Sequence, residues 1–129
     1  MALGSNLGDR DAHLRAARAA LASLPQTSLI AASTIEETLP LGDMDQPPYL
    51  NQMVLLETSL EPHVLLQALH AIESQEGRVR KERWGARTLD LDIVRFGNRR
   101  VKERDLIIPH PELPHRDFWL RELAEIEPQ

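Results

Sequence analysis

The sequence contains no cysteine. Disulfides and thiolate zinc sites are therefore excluded, and the chain suits a reducing compartment. Aromatic residues are scarce: two Trp, one Tyr and two Phe make up 4% of the chain. Each one that falls in a polar stretch therefore stands out as a contact for something flat. No apolar run approaches the roughly 20 residues of a membrane span. No basic-then-apolar leader precedes a cleavage site, so the expectation is a cytoplasmic protein. The phosphate loop G-x-x-x-x-G-K-S/T is absent, and so is the kinase pairing of H-R-D followed by D-F-G. There is no overall basic excess either. The net charge is -5, which speaks against a long nucleic acid as partner.

What is present describes a soluble domain. With 129 residues, 42% of them hydrophobic and 27% charged, the chain is expected to fold as one domain with a sizeable core. The charge is unevenly placed. Ten of the 15 Lys and Arg residues lie between Arg78 and Arg104. A local basic field on an acidic chain favours a small anionic ligand over a polyanion.

Periodicity sets out the elements. Ala2 and Leu3 read as the end of a strand and Gly4–Gly8 as a turn. Asp9 or Asp11 caps a helix whose apolar stripe is Leu14, Ala17, Leu21 and Leu24, stopped by Pro25. Residues 28–38 are strand-like. Residues 39–50 hold three prolines and a glycine, which predicts a structured loop. A strand from Asn51 or Gln52 to Ser59 follows. Pro62 opens a second helix with the stripe Leu65, Leu69 and Ile72, and Gly77 is placed to cap it. A strand is expected over Leu89–Phe96, then a Gly97-Asn98 turn with Arg99–Lys102 returning as a hairpin strand. The last helix is expected over Phe118–Ile126. The order strand, helix, strand, strand, helix, strand, hairpin, helix predicts an α+β fold. It is best matched by a ferredoxin-like core, an antiparallel sheet with helices packed on one face, plus an extra hairpin.

Residues 78–96 are the most chemically loaded stretch. Asp90 and Asp92 sit two apart on a predicted strand, so both face one side with attachment points roughly 6.6 Å apart. Leu89, Leu91 and Ile93 turn to the core. Two carboxylates so placed suit Mg²⁺, which takes oxygen ligands and keeps substrate phosphates in its shell; a plain solvated strand face has the same pattern. Just upstream, Arg78, Arg80, Lys81, Arg83 and Arg87 surround Trp84. Arginine forks match phosphate, although a solvated loop paired with Glu76 and Glu82 would also fit. His110, between two prolines, suits a rigid donor to a phosphate oxygen, with Arg116 six residues on. His13, His63 and His70 lie in helical segments and read as surface or partly buried residues. Tyr49, Trp84 and Phe118 with the amide of Asn51 suit a flat heterocycle, and core packing by Tyr49 and Phe118 is the plain alternative.

The ordered blocks G-S-N-L-G-D at 4–9, L-G-D-M-D-Q-P-P-Y-L-N at 41–51, G-R-V-R-K-E-R-W-G-A-R-T-L-D-L-D-I at 77–93 and I-P-H-P at 108–111, with R-x-F at 116–118, resemble the 6-hydroxymethyl-7,8-dihydropterin pyrophosphokinase family of folate biosynthesis. The resemblance covers nearly the whole chain. It implies a single pyrophosphokinase domain over 1–129, shorter at both ends than other members, acting as a monomer. The implied reaction moves a diphosphate from ATP to the hydroxymethyl group of the reduced pterin, releasing AMP. Two Mg²⁺ ions would be held by Asp90 and Asp92. Thr38, Leu41, Tyr49, Asn51, Trp84 and Phe118 would form the pterin pocket. Glu73, Arg80, Arg83, Trp84, Arg87, Ile93, His110 and Arg116 would meet nucleotide or phosphate, and Arg78 and Arg87 would be tied most closely to the chemical step. ATP and the pterin would be the only partners, with no nucleic acid and no membrane. Two other classes remain open on residues alone: a nucleotide- or RNA-binding module of ferredoxin-like fold, and a Mg²⁺-dependent phosphohydrolase.

Overall fold

The computed structural model describes residues 1–38, 48–76 and 89–127. Strand β1 (Ala2–Ser5) leads to helix α1 (Arg10–Ala22). Asp9 caps that helix: its Oδ1 accepts the Ala12 N–H at 3.0 Å. Strands β2 (Thr27–Ala32), β3 (Glu36–Thr38) and β4 (Tyr49–Thr58) follow, then α2 (Pro62–Gln75) with its proline in the first turn. Strand β5 (Asp90–Asp92), the short strands β6 (Val101–Lys102) and β7 (Ile107–Ile108), a single 3₁₀ turn (Leu113–His115) and α3 (Asp117–Ile126) complete the order.

Among the described residues one five-stranded sheet forms, in the order β2-β4-β1-β5, with β3 also pairing to β4. Every pairing in it is antiparallel. β2 and β3 lie end to end along one edge of β4, separated by Ser33, Thr34 and Ile35. The Ser33 N–H donates to the Met53 carbonyl at 2.8 Å, and its hydroxyl accepts the Met53 N–H at 2.9 Å. The edge therefore stays hydrogen-bonded through the break. The fold is α+β, as expected.

Alternation along the strands divides the core in two. Leu3, Val54, Leu91 and Ile93 join Leu14, Ala17 and Leu21 of α1 and Leu65, Leu69 and Ile72 of α2 in one cluster. Ala2 and Met53 point the other way, onto Trp119, Leu123 and Ile126 of α3. The sheet thus carries helices on both faces. The expectation of helices on one face is corrected by α3, whose stripe needs its own apolar floor and finds it on Ala2 and Met53.

Other expectations shift locally. Gly4 and Ser5 belong to β1 and not to a turn. β4 begins at Tyr49, not Asn51, because pairing with Thr38 extends it backwards. The strand expected over Leu89–Phe96 is only Asp90–Asp92, since its ladder to β1 stops at the Ala2–Asp92 pair. The turn at Gly97-Asn98 is present, with Gly97 at φ +54. The strand after it pairs with Ile107–Ile108 instead of returning onto β5. Gly77, expected to cap α2, lies outside the described residues.

Leu69 has no exposed surface and joins the larger core cluster. Leu69→Ala is expected to cost about 2–5 kcal/mol by urea denaturation.

Candidate active site

The register writes the site across the sheet. Asn51 pairs with Gly4 on one side and Glu36 on the other, and Gly4 pairs with Asp90. Paired residues share a face, so Glu36, Asn51, Gly4 and Asp90 form one row. Met53, Ala2 and Asp92 form the next. This is the face on which α3 packs, over Ala2 and Met53 and beside Glu36. Asn51 and Asp90 stand two strand spacings apart, about 9.6 Å.

Gly4 is the open floor between them. A Cβ there would lie 3.4 Å from Asn51 Oδ1 and 3.6 Å from the Tyr49 ring. Asn51 is buried, and its amide donates to the Thr38 hydroxyl at 2.6 Å. Thr38, Tyr49 and Asn51 are therefore brought together. Phe118 stands in the first turn of α3, with its ring 6.2 Å from that of Trp119.

A cleft of about 470 Å³ opens at the carboxylate end. Glu73, Asp90, Asp92, Ile93, His110 and Arg116 all line it. Leu89, Leu91 and Ile93 are buried while Asp90 and Asp92 are half-buried, as the alternation required. Glu73 sits in α2, where it is 3% exposed, and its Oε2 accepts the Leu91 N–H at 2.8 Å. The two aspartates are held from behind: β1 takes one side of β5, and Glu73 takes the N–H between them.

His110 is oriented by three contacts. Its N–H donates to the Val94 carbonyl at 2.9 Å, and its Nδ1 accepts the Glu112 N–H at 3.1 Å. Its ring meets Trp119 edge-on, with centroids 4.9 Å apart. With Nδ1 accepting, the proton of the neutral ring is on Nε2. Nε2 lies 3.8 Å from Asp92 Oδ1. Burial lowers the His110 pKa; Asp92 and Glu112 oppose this and Arg116 adds to it. The ring is thus a neutral donor at pH 7. The Arg116 guanidinium sits 4.4 Å from the centre of the Trp119 ring, a stacking that holds its charge beside the cleft.

Trp119 was missed by the sequence reading. It is 2% exposed and touches His110, Phe118 and Arg116 at once. Its only sequence signal was rarity, as one of two tryptophans. Gly4 was also missed, having been read as a turn residue. Leu41, Arg78, Arg80, Arg83, Trp84 and Arg87 lie outside the described residues. His13 and His63 are partly buried and His70 is exposed, as expected. Among the described residues His63 also forms an exposed cluster with Glu103 at 2.8 Å and Asp105 at 3.3 Å, an ion-pair arrangement of small energetic worth.

Over residues 1–128 the sequence matches the family described as 7,8-dihydro-6-hydroxymethylpterin-pyrophosphokinase. The chain belongs to this family. It is 44% identical over 126 residues to the 2-amino-4-hydroxy-6-hydroxymethyldihydropteridine pyrophosphokinase of Haemophilus influenzae, covering 98% of this chain and 79% of the relative. Similarity to the enzyme of the same name from Bacillus subtilis is 45% over 126 residues, 98% of this chain and 75% of that protein. For Pseudomonas aeruginosa it is 45% over 128 residues, 99% and 79%. Membership and geometry concur: the family's chemistry needs a polyphosphate site beside an acceptor site, and the sheet carries a carboxylate end and an amide–aromatic end on one face.

Replacing Glu73 by Ala is expected to leave the Leu91 N–H without its acceptor. The expected loss is about 1–3 kcal/mol of unfolding free energy, read by urea titration at pH 7.

Proposed function

We propose that this chain transfers the diphosphate of ATP to the 6-hydroxymethyl group of 6-hydroxymethyl-7,8-dihydropterin, giving the pterin diphosphate and AMP. The observation that carries this reading is the placement, in a member of the pyrophosphokinase family, of Asp90 and Asp92 on the same sheet face as Asn51. The antiparallel order β2-β4-β1-β5, with α1 and α2 on one face, supports a ferredoxin-like core with β3, the β6–β7 hairpin and α3 added to it.

The donor set fits Mg²⁺. Asp90 and Asp92 offer hard oxygen ligands at the rim of a cleft that also presents an arginine and a neutral histidine donor. Bound between these aspartates and the polyphosphate, two such ions would offset charge on the phosphate oxygens. The protein's own groups do the rest. His110 Nε2–H donates to a phosphate oxygen. Arg116, braced on Trp119, offsets negative charge on the nucleotide. Backbone groups around Ile93 meet the base, and Glu73 holds β5 in place. By the family resemblance, Arg78, Arg80, Arg83 and Arg87 are assigned to the polyphosphate, with Arg78 and Arg87 tied most closely to the chemical step.

On the acceptor side, Asn51 supplies a donor and an acceptor in one plane. Thr38, Tyr49 and Phe118 stand around it, and the family resemblance adds Leu41 and Trp84 to the pterin-binding set. The pterin hydroxyl oxygen bonds to the β-phosphorus in line as the bridge to the α-phosphate breaks. The hydroxyl proton passes to solvent and AMP leaves. A loose transition state asks for position and charge compensation more than for a strong base.

Protein incubated with ATP, Mg²⁺ and the pterin alcohol is expected to release AMP and pterin diphosphate in equal amounts by chromatography. Formation of ADP, or of free diphosphate without acceptor, would sink the reading. Asp90→Asn and Asp92→Asn are each expected to slow AMP formation by on the order of 10²–10³, with the thermal midpoint close to the parent's. Gly4→Val should fill the floor beside Asn51. The expected result is at least about tenfold weaker pterin binding by calorimetry with nucleotide affinity unchanged.

A further inference from the structure

Helix α3 buries a stripe of Trp119, Glu122, Leu123 and Ile126. At 1% exposure, Glu122 occupies a position that the helical period assigns to an apolar side chain. Its partner across the interface is Glu36 of β3: the adjacent Arg121 reaches Glu36 Oε2 at 3.3 Å, and Glu36 Oε1 is buried, as are both Glu122 oxygens. Among the described residues, neither oxygen of Glu122 nor Oε1 of Glu36 has an N–H or O–H donor. A bare carboxylate on half-buried Glu36 beside a second on buried Glu122 would repel; one proton between them turns the contact into a bond.

We propose that Glu36 and Glu122 share one proton, and that this bond positions the acceptor slot by holding β3 on α3. Thr38 lies two residues beyond Glu36, and Phe118 lies one turn before Glu122. The bond therefore sets the distance between two walls of the slot. That consequence rests on the proposed pterin-binding role of Thr38 and Phe118. Two further tethers hold α3 to this edge: Arg121 reaches Glu36 Oε2 at 3.3 Å, and Glu125 accepts from the hydroxyl of Thr34, two residues before β3, at 3.1 Å. Among the described residues, Arg121 and Glu125, with Glu36, are the charges acting on Glu122. The residues of β4 on this face, Asn51, Met53 and Leu55, carry none.

The electrostatics agree with the geometry. Burial first, then the bond to Glu36 and the charges of Glu36 and Glu125, push Glu122 up to about 9. Glu36 is held below its ordinary value, chiefly by the bond from Glu122 and also by Arg121. The Glu122 pKa is raised on folding, so its contribution is complete below the ordinary value of 4.5 and is lost as pH rises through about 9. Glu36 works in the opposite sense: its contribution is present above 4.5 and is lost as pH falls below that. The clamp therefore opens on the alkaline side.

Carbon-13 titration of the glutamate side-chain carboxyls tests the bond directly. One glutamate is expected to titrate near pH 9 in the parent and to be missing in Glu122→Gln. In Glu36→Gln, which serves if the first variant fails to fold, the same signal should move down in pH. Titration of every glutamate below pH 6 would overturn the proposal. Calorimetry with a reduced-pterin analogue tests the positioning. For one linked proton, the parent's dissociation constant should rise about tenfold between pH 8 and pH 10. Glu122→Gln, whose amide donates to Glu36 at every pH, should not show the rise, and ATP affinity should change in neither protein. An identical rise in both would overturn the positioning role. Absence of pterin binding at any pH, with a carboxyl still titrating near 9, would instead overturn the acceptor assignment and leave the shared proton standing.

Discussion

Strand β1 pairs antiparallel with β4 on one side and with β5 on the other, and this double pairing decides which groups face the cleft. Side chains alternate with a period of two, so a slip of one residue would exchange the faces. Asp90 and Asp92 would then enter the core, and Leu91 would face the substrate side. The register is held by burial on both faces at once. Leu3 is committed to α1 and α2, and Ala2 to α3. Neither can turn over without exposing apolar surface and burying charge. Gly4 continues that alternation toward Asn51 and Asp90 and leaves open the space a side chain would occupy.

Short strands need further support, and polar groups supply it. Among the described residues β5 has one strand partner, so the N–H of Leu91 would be buried without an acceptor were it not for Glu73. A helix on the opposite face thus reaches around the sheet edge to brace the carboxylate strand. On the other side, Trp119 links His110, Arg116 and Phe118. Groups assigned to phosphate and groups assigned to the pterin ring share this one buried contact, so α3 ties the two ends of the site together.

α3 also carries the least expected feature of the core. Glu122 and Glu36 place ionisable groups where packing alone would place carbon. A buried carboxyl set against another carboxyl is tolerable in the half-protonated state and costly outside it. Flanked by the ties from Arg121 and Glu125, the pair makes the β3–α3 contact depend on a proton, at the edge of the face that holds Asn51.

The sequence alone determined what depends on local period and chemistry. Leu14, Ala17 and Leu21, and Leu65, Leu69 and Ile72, marked two buried helix faces, and Asp9 or Asp11 marked a cap, which the structure assigns to Asp9. The two-residue spacing of Asp90 and Asp92 put both on one face. The ordered motifs were enough to place the chain in its family. What the tertiary structure decided is which distant segments meet. The brace of Glu73 on Leu91, the contact of Trp119 with His110 and the Glu36–Glu122 pair each join residues that no local pattern relates. Strand limits were decided the same way: Tyr49 became strand because Thr38 lies beside it, and Phe96 did not because the ladder to β1 had already ended. A helix can be read from its own side chains because its hydrogen bonds are internal. A strand is defined by its neighbour, and this active site is built across four of them.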